Sequence, residues 1–432
     1  MNLFHLVYIP IILYAFKDYR KAFLLYAVTT PFLSALVPFL VLPGLPLVQM
    51  ETFMNTFWLM YISLSHICNK KQRAIHKQDD FPLKGAFCIY IISIAISSIL
   101  SPITPIFQST MAGYQTILNG FVFVYLLWRE LRKTQDIQFF IKGLVIVFSI
   151  AVIYGFFEKF SDFYNPLKEY EISLNPDKEG LTFDYSKEDR IGTGRVVSIF
   201  NNALACSAYS AVALAFFLYM NMRYKKIWNS SVLLKISFMC GLSLLLLFSN
   251  SRGGIVYLGI SLLFMLNLKS TLSLLLLLPI FGFAFYDLIA PYFVTISSIF
   301  DIDSEAVGGS SLAMRIIQFS FVLEIWKNNL LFGYGPKGET YWGIQESGVL
   351  GTESVWLKLL LNQGFIGVVA YIFLCCSLIK LATGKSKRYM IGAVLACIAV
   401  MTATVGLSLP FFMCLLLVVY RLELLSNPKG VL

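Results

Sequence analysis

Apolar stretches long enough to cross a bilayer recur along this chain, and that recurrence restricts the fold more than any single motif. The runs fall at about 3–16, 22–42, 47–68, 83–101, 111–128, 139–158, 196–222, 231–249, 253–268, 270–290, 353–379, 389–406 and 408–425. A spanning helix takes roughly 20 residues. In lipid only helices and closed barrels satisfy all their backbone polar groups. Thirteen runs therefore use about 260 residues and leave about 170 for loops. Apolar residues make up 58% of the chain and charged ones 13%, against about 45–50% and about 25% in soluble domains. That composition excludes a soluble enzyme, a disordered chain and a disulfide scaffold. The expected fold is an all-α polytopic membrane protein of about 12–14 transmembrane helices. The first run is short and contains Pro10, so a re-entrant segment is an alternative there. The N-terminus has no basic region before its apolar stretch, so a cleaved signal peptide is not expected.

The net charge of +10 would suggest nucleic acid in a soluble protein, but here it reads as basic residues crowding the cytoplasmic loops; no nucleic-acid partner is expected. Alternate connectors carry Lys17, Arg20 and Lys21; Lys70, Lys71, Arg73 and Lys77; Arg129, Arg132 and Lys133; Arg223, Lys225 and Lys226; then Lys380, Lys385, Lys387 and Arg388. The connectors 43–46 and 102–110 carry neither Lys nor Arg. The positive-inside rule places the basic set in the cytoplasm. Two long loops then fall on the outer side, dividing the chain into helices over 1–158, a loop over 159–195, helices over 196–290, a second loop over 291–352 and helices over 353–432.

The first loop mixes both signs of charge. The second contains a helical pattern: Leu312, Ile316, Phe319, Leu323, Trp326 and Leu330 recur at intervals of four and three, with Arg315, Glu324 and Lys327 between them. Three charges argue against a span, and an amphipathic helix in the membrane interface is expected. No pair of similar halves of the kind transporters show is visible.

The eight cysteines lie within or at the ends of apolar runs, and no CxxC occurs. Neither a disulfide framework nor a zinc site is indicated. The three histidines, His5, His66 and His76, avoid both long loops, so His-based acid–base work is not expected there. No metal and no cofactor is implied.

Arginine beside the apolar slab is the informative residue, because a guanidinium there is costly unless it meets an anion. Arg252 interrupts an apolar stretch in Asn250-Ser-Arg-Gly-Gly254. It reads either as a snorkelling side chain or as an anion ligand at the bundle mouth. Arg315 opens the helix of the second loop, where a cation opposes the helix dipole. An anion would resolve that conflict, as would pairing with Asp301, Asp303 or Glu305. Arg190 and Arg195 end the first loop, Arg195 directly against the next apolar run, where an interfacial anchor is the alternative. Gly333-Tyr-Gly-Pro-Lys-Gly338 matches GxGxxG, but it lacks the strand–turn–helix setting of a dinucleotide fingerprint. A turn-rich loop is expected, with Lys337 available to phosphate. Glu353, at the head of the run 353–379, reads as a helix cap or as a general base. Tyr334, Tyr341, Trp342, Tyr185 and Phe183 read as sugar-stacking rings or as an interfacial aromatic belt. Several arginines and one carboxylate on one face suit a lipid-linked pyrophosphate, since a guanidinium matches phosphate oxygens two at a time.

At these residues the chain resembles the O-antigen polymerase and O-antigen ligase superfamily of bacterial envelope glycosyltransferases. The resemblance rests on Asn250-Ser-Arg-Gly-Gly254, on Arg315 followed by Trp326-Lys-Asn-Asn-Leu-Leu-Phe-Gly333-Tyr-Gly335, and on Thr352-Glu-Ser-Val-Trp-Leu-Lys-Leu-Leu-Leu-Asn-Gln-Gly-Phe-Ile-Gly367. It implies a GT-C-like many-helix bundle in the bacterial inner membrane, active on the periplasmic side. The donor and acceptor it implies are undecaprenyl-diphosphate-linked oligosaccharides, with a chain-length regulator and a flippase as partners. Arg252 and Arg315 would bind the diphosphate, and Arg195 matches an arginine such polymerases carry where the first long loop enters the membrane. Ligases carry His-Asn where this chain has Glu353-Ser354, which favours a polymerase over a ligase joining polysaccharide to lipid A–core. A lipid-linked oligosaccharide flippase is the alternative from another class. It would place charges deep within spans, whereas here they collect at helix ends.

Overall fold

A computed structural model describes residues 5–36, 39–40, 48–68, 80–173, 194–266, 312–336, 338–345, 353–404 and 406–426. Its helices are α1 (His5–Leu36), α2 (Met50–Cys68), α3 (Lys84–Ile99), α4 (Ile106–Glu130), α5 (Thr134–Phe160), α6 (Pro166–Ser173), α7 (Ala203–Arg223), α8 (Val232–Phe248), α9 (Arg252–Met265), α10 (Leu312–Trp326), α11 (Gly338–Gln345), α12 (Val355–Lys380), α13 (Lys387–Ala403) and α14 (Leu409–Ser426). A two-residue antiparallel pair, Phe39–Leu40 with Val48–Gln49, is the sheet structure among the described residues. The chain is an all-α polytopic membrane protein. Six described helices, α4, α5, α7, α12, α14 and the stretch Gly384–Ala403 that holds α13, are long and apolar enough to cross a membrane. The helices α3, α8 and α9 are shorter apolar segments. The run 270–290 lies outside the described residues.

The first two apolar runs form one helix, α1, broken at Asp18, whose φ of −148° and ψ of 88° are not helical. Pro10 lies within its first segment. The helix α4 contains a π turn at Leu118–Val122, which brings Asn119 toward α2: Asn55 Nδ2 donates to Asn119 Oδ1 at 3.0 Å.

The bundle is built around α7, whose alanines and serines let neighbouring backbones approach. Sixteen of its side chains, from Ala203 to Met220, are buried. A Cβ on Gly254 would collide with Ser207, so α9 packs on α7 backbone to backbone. In α5, Phe140, Ile141, Leu144, Phe148 and Ala151 face inward, while Ile146, Ile150, Ile153, Phe157 and Phe160 form an exposed stripe at helical spacing. An apolar stripe of that length outside the core is a lipid-facing surface.

The connectors sort to two ends. At one, Arg20 Nε lies 3.4 Å from Glu130 Oε2. There Arg421 Nη2 donates to Trp128 O at 3.2 Å and its guanidinium covers the Trp128 ring at 3.6 Å. Glu423 accepts from Tyr224 Oη and from the Lys385 amide at 2.9 and 3.0 Å. This end gathers basic connectors, as alternation along the sequence requires. At the other end, Ser101 Oγ donates to Tyr334 O at 2.6 Å, and Thr404 lies against Gly253.

Candidate functional site

Three separated segments meet at that second end. The turn Ser249-Asn250-Ser251, between α8 and α9, is buried. Asn250 takes a left-handed φ of 45°, a conformation that Asn tolerates better than most residues. The turn reverses the chain tightly and sets Arg252 as the first residue of α9, half-buried. The segment before α7 lies alongside it. Val196 N donates to Phe248 O at 3.0 Å, and Arg195 Nε donates to Ser249 O at 3.2 Å. Arg195 and Arg252 therefore issue from adjoining backbones.

The segment carrying Arg195 is held from below by Glu158, near the end of α5. Its two carboxylate oxygens accept from the amides of Val197 at 3.0 Å and Ser198 at 2.6 Å. Ser198 has a left-handed φ of 56°, and its Oγ donates to Ala151 O at 2.6 Å. Asn165 Nδ2 donates to Ser198 O at 3.0 Å. Charge-assisted bonds of this kind are the strong ones, and a buried carboxylate is tolerable only with such partners. Glu158 escaped the sequence reading because it sits inside the apolar run 139–158, with no neighbouring motif to mark it.

The third segment brings Arg315 and Glu353 together. The turn after α10 docks into a break in α12. Gly333, Gly335 and Gly364 have φ of +64°, +89° and +63°, the region that favours glycine. With α12 opened at Gly364, Tyr334 N donates to Leu361 O at 2.6 Å, Gly335 N to Asn362 O at 2.9 Å and Phe365 N to Leu330 O at 2.9 Å. The GxGxxG match is thus a backbone joint, as its setting in a turn-rich loop suggests. The joint fixes α10 against α12, and Arg315 Nη2 comes to 3.8 Å from Glu353 Oε2, both partly exposed.

The Arg252 guanidinium is half-buried and feels Arg315 and Arg195, of its own sign, with Glu353 opposing them. Of the residues singled out in the sequence, the structure therefore collects Arg195, Arg252, Arg315 and Glu353. Arg190 and Lys337 lie outside the described residues, as do Tyr185, Phe183, Asp301, Asp303 and Glu305.

Two expectations change. Ser354, not Glu353, caps α12: its Oγ accepts from Trp356 N at 3.3 Å, which leaves the Glu353 carboxylate to Arg315. The ring of Tyr334 does not lie open to a sugar. It is buried with Val322, Ile325, Leu357 and Leu361, its Oη donates to Ile325 O at 2.8 Å, and burial pushes its phenol up. Trp342, half-buried, meets it edge-on at 5.5 Å. The helix α10 forms where the pattern places it: Val322 and Ile325 pack with Leu357 and Leu361 of α12, and Gln318 is buried. Ile316, Phe319 and Leu330 of the expected stripe are exposed. The helix carries two apolar faces, and the joint at Gly364 selects the one that sets Tyr334 beneath it.

Residues 238–372 match the family model described as O-antigen ligase. The matched segment holds Arg252, Arg315, Glu353 and the Gly333–Gly364 joint, and it covers less than half of the chain. It bears out the likeness to the O-antigen polymerase and ligase superfamily carried by the motifs around Arg252, Arg315 and Glu353. The matched segment does not include Arg195 or Glu158, which reach the same place from outside it. No curated protein matches the chain.

Proposed function

We propose that the protein is an O-antigen or capsular polysaccharide polymerase of the bacterial inner membrane, working at its periplasmic face. The observation that carries this reading is the convergence of Arg195, Arg252 and Arg315, with Glu353, at one end of the bundle. Three cations in one partly buried place repel one another and favour an anion of more than one charge. A diphosphate supplies it. In the proposed reaction a hydroxyl of the acceptor repeat attacks the anomeric carbon of the donor repeat. The carbon–oxygen bond to the diphosphate breaks, and undecaprenyl diphosphate departs with the electron pair. Arg252, Arg315 and Arg195 stabilise the charge growing on that leaving group. Glu353, 3.8 Å from Arg315 Nη2, accepts the hydroxyl proton. Arg190 and Lys337, by their place in the sequence, would add cations for the diphosphate.

The absence of a His-Asn pair at Glu353-Ser354 favours the polymerase over the ligase. The surface-polysaccharide ladder of a deletion strain tests the choice. Lipid A–core carrying one repeat is the expected result. Core carrying none would overturn it in favour of a ligase or a flippase.

A further inference from the structure

A second polar site lies inside the bundle, apart from the arginines. A cavity of about 120 Å³ is bounded by α1, α2, α4, α7 and α14, and Glu51, Asn119, Thr30, Tyr209 and Ser408 contribute to its lining. By the usual measure it has room for on the order of ten waters, which is also the space of one sugar ring. Glu51 lies in the first turn of α2. Among the described residues no cation pairs with it, and the phenols of Tyr8, Tyr26 and Tyr209 lie within its field. A carboxylate within an apolar bundle is costly when uncompensated, and such a residue is by default functional.

The lining is built for hydroxyl groups. Asn119 is fixed by the π turn of α4, accepting from Asn55 at 3.0 Å and donating to Thr52 at 3.2 Å, while Asn55 Oδ1 accepts from Tyr26 Oη at 2.9 Å. Its amide is therefore oriented before anything binds. Glu51 offers acceptors, Tyr209 and Ser408 offer hydroxyls, and Thr30 offers its hydroxyl oxygen as an acceptor, its proton going to Tyr26 O at 2.9 Å. Phe123 and Phe411 supply apolar ring surface in the same lining. A few placed polar groups among aromatic walls is the make-up of a small-molecule pocket, and a pyranose has both the hydroxyls and the C–H face to match it.

One short connector links the cavity to the arginines. Thr404 and Ser408 stand at the two ends of the connector between α13 and α14. Ser408 lines the cavity, and Thr404 abuts Gly253, next to Arg252. In glycosyl transfer the attacking hydroxyl must reach the carbon that bears the departing diphosphate, so an acceptor sugar belongs beside the phosphate ligands. We propose that the Glu51 cavity, joined to Arg252 by the Thr404–Ser408 connector, is the subsite for the terminal sugar ring of the acceptor chain. This rests on the polymerase reading above.

The test uses the full chain in nanodiscs and two probes. One is the oligosaccharide repeat released from its lipid by mild acid, observed by saturation-transfer NMR. The other is undecaprenyl diphosphate, observed by equilibrium binding. The wild type is expected to transfer saturation to the non-reducing terminal ring. Glu51→Gln, which trades one carboxyl oxygen for an NH₂ group, and Ala27→Leu, which fills the cavity, should each weaken sugar binding about 10-fold or more and leave undecaprenyl diphosphate binding intact, which also shows that they fold. Arg252→Ala should do the reverse. No transfer in the wild type, or undiminished transfer in both cavity variants, overturns the subsite. Undecaprenyl diphosphate that fails to bind the wild type overturns the arginine site instead.

Discussion

Arg315 Nη2 lies 3.8 Å from Glu353 Oε2, a contact that joins the first turn of α10 to the residue just before the cap of α12. Both side chains are about one-third exposed, and a pair in that setting adds at most about 1 kcal/mol to stability. Its value lies in placing a guanidinium and a carboxylate side by side at the mouth of the bundle.

Stability and turnover should therefore separate at this pair. Arg315→Ala is expected to change the unfolding free energy by less than about 1 kcal/mol, yet to slow chain growth on the order of 100-fold or more. Glu353→Gln should slow turnover while lipid-linked donor still binds. Polysaccharide chain length in cells and donor binding to purified protein check both. Unchanged turnover in Glu353→Gln would remove it as the base.

Arg252 should resist even conservative exchange. It is half-buried in the field of Arg195 and Arg315, and a guanidinium binds two phosphate oxygens in a fork that an ammonium does not reproduce. Arg252→Lys is expected to lose most chain growth, and Arg252→Ala all of it, with each protein accumulating in the membrane. Immunoblots of membranes beside polysaccharide gels read the two effects apart. Near-normal polymer from Arg252→Lys would mean that charge alone suffices there.

The site was legible in the sequence where a charge breaks an apolar run. Arg252 stands out because nothing around it is charged, Arg195 and Glu353 because each borders an apolar run, and Arg315 because it opposes a helix dipole. What the sequence hid is what holds them. Glu158 and Glu51 lie in apolar runs and carry no spacing signal, because Glu158 is held by backbone amides and the cavity that Glu51 lines is closed by other helices. The role of Tyr334 was hidden for a related reason. A ring in a glycine-rich outer loop reads the same whether it stacks on sugar or fills a core, and only the break at Gly364 decides it. The apolar runs that become α5 and α7 were plain, whereas which face of α10 packs depended on that same break.

The Gly333–Gly364 joint should be intolerant of any side chain. A Cβ on Gly364 would come within 2.5 Å of the Leu331 carbonyl, and φ there is +63°. Gly364→Ala is expected to cost roughly 1–3 kcal/mol from backbone strain alone. It should also part Arg315 from Glu353, so activity falls with stability. Thermal unfolding of detergent-solubilised protein reads the first effect, and a chain-growth assay below the lowered Tm reads the second. An unshifted Tm would show that the joint is not rigid.

Glu158 should act at a distance through Arg195. Its carboxylate accepts from two amides, Val197 and Ser198, and a carboxamide offers only one oxygen for that pair. Glu158→Gln therefore leaves one buried N–H facing an NH₂ group, a cost of about 1–3 kcal/mol. The loss falls on the segment that fixes Arg195 against Ser249. Hydrogen exchange should accelerate at Val197 and Ser198 while amides in the centre of α7 remain protected. Donor affinity should fall toward that of Arg195→Ala, and the double variant should be no worse than Arg195→Ala alone, since both changes remove the same contact. Additive losses would show that Glu158 contributes to the site by a route other than Arg195.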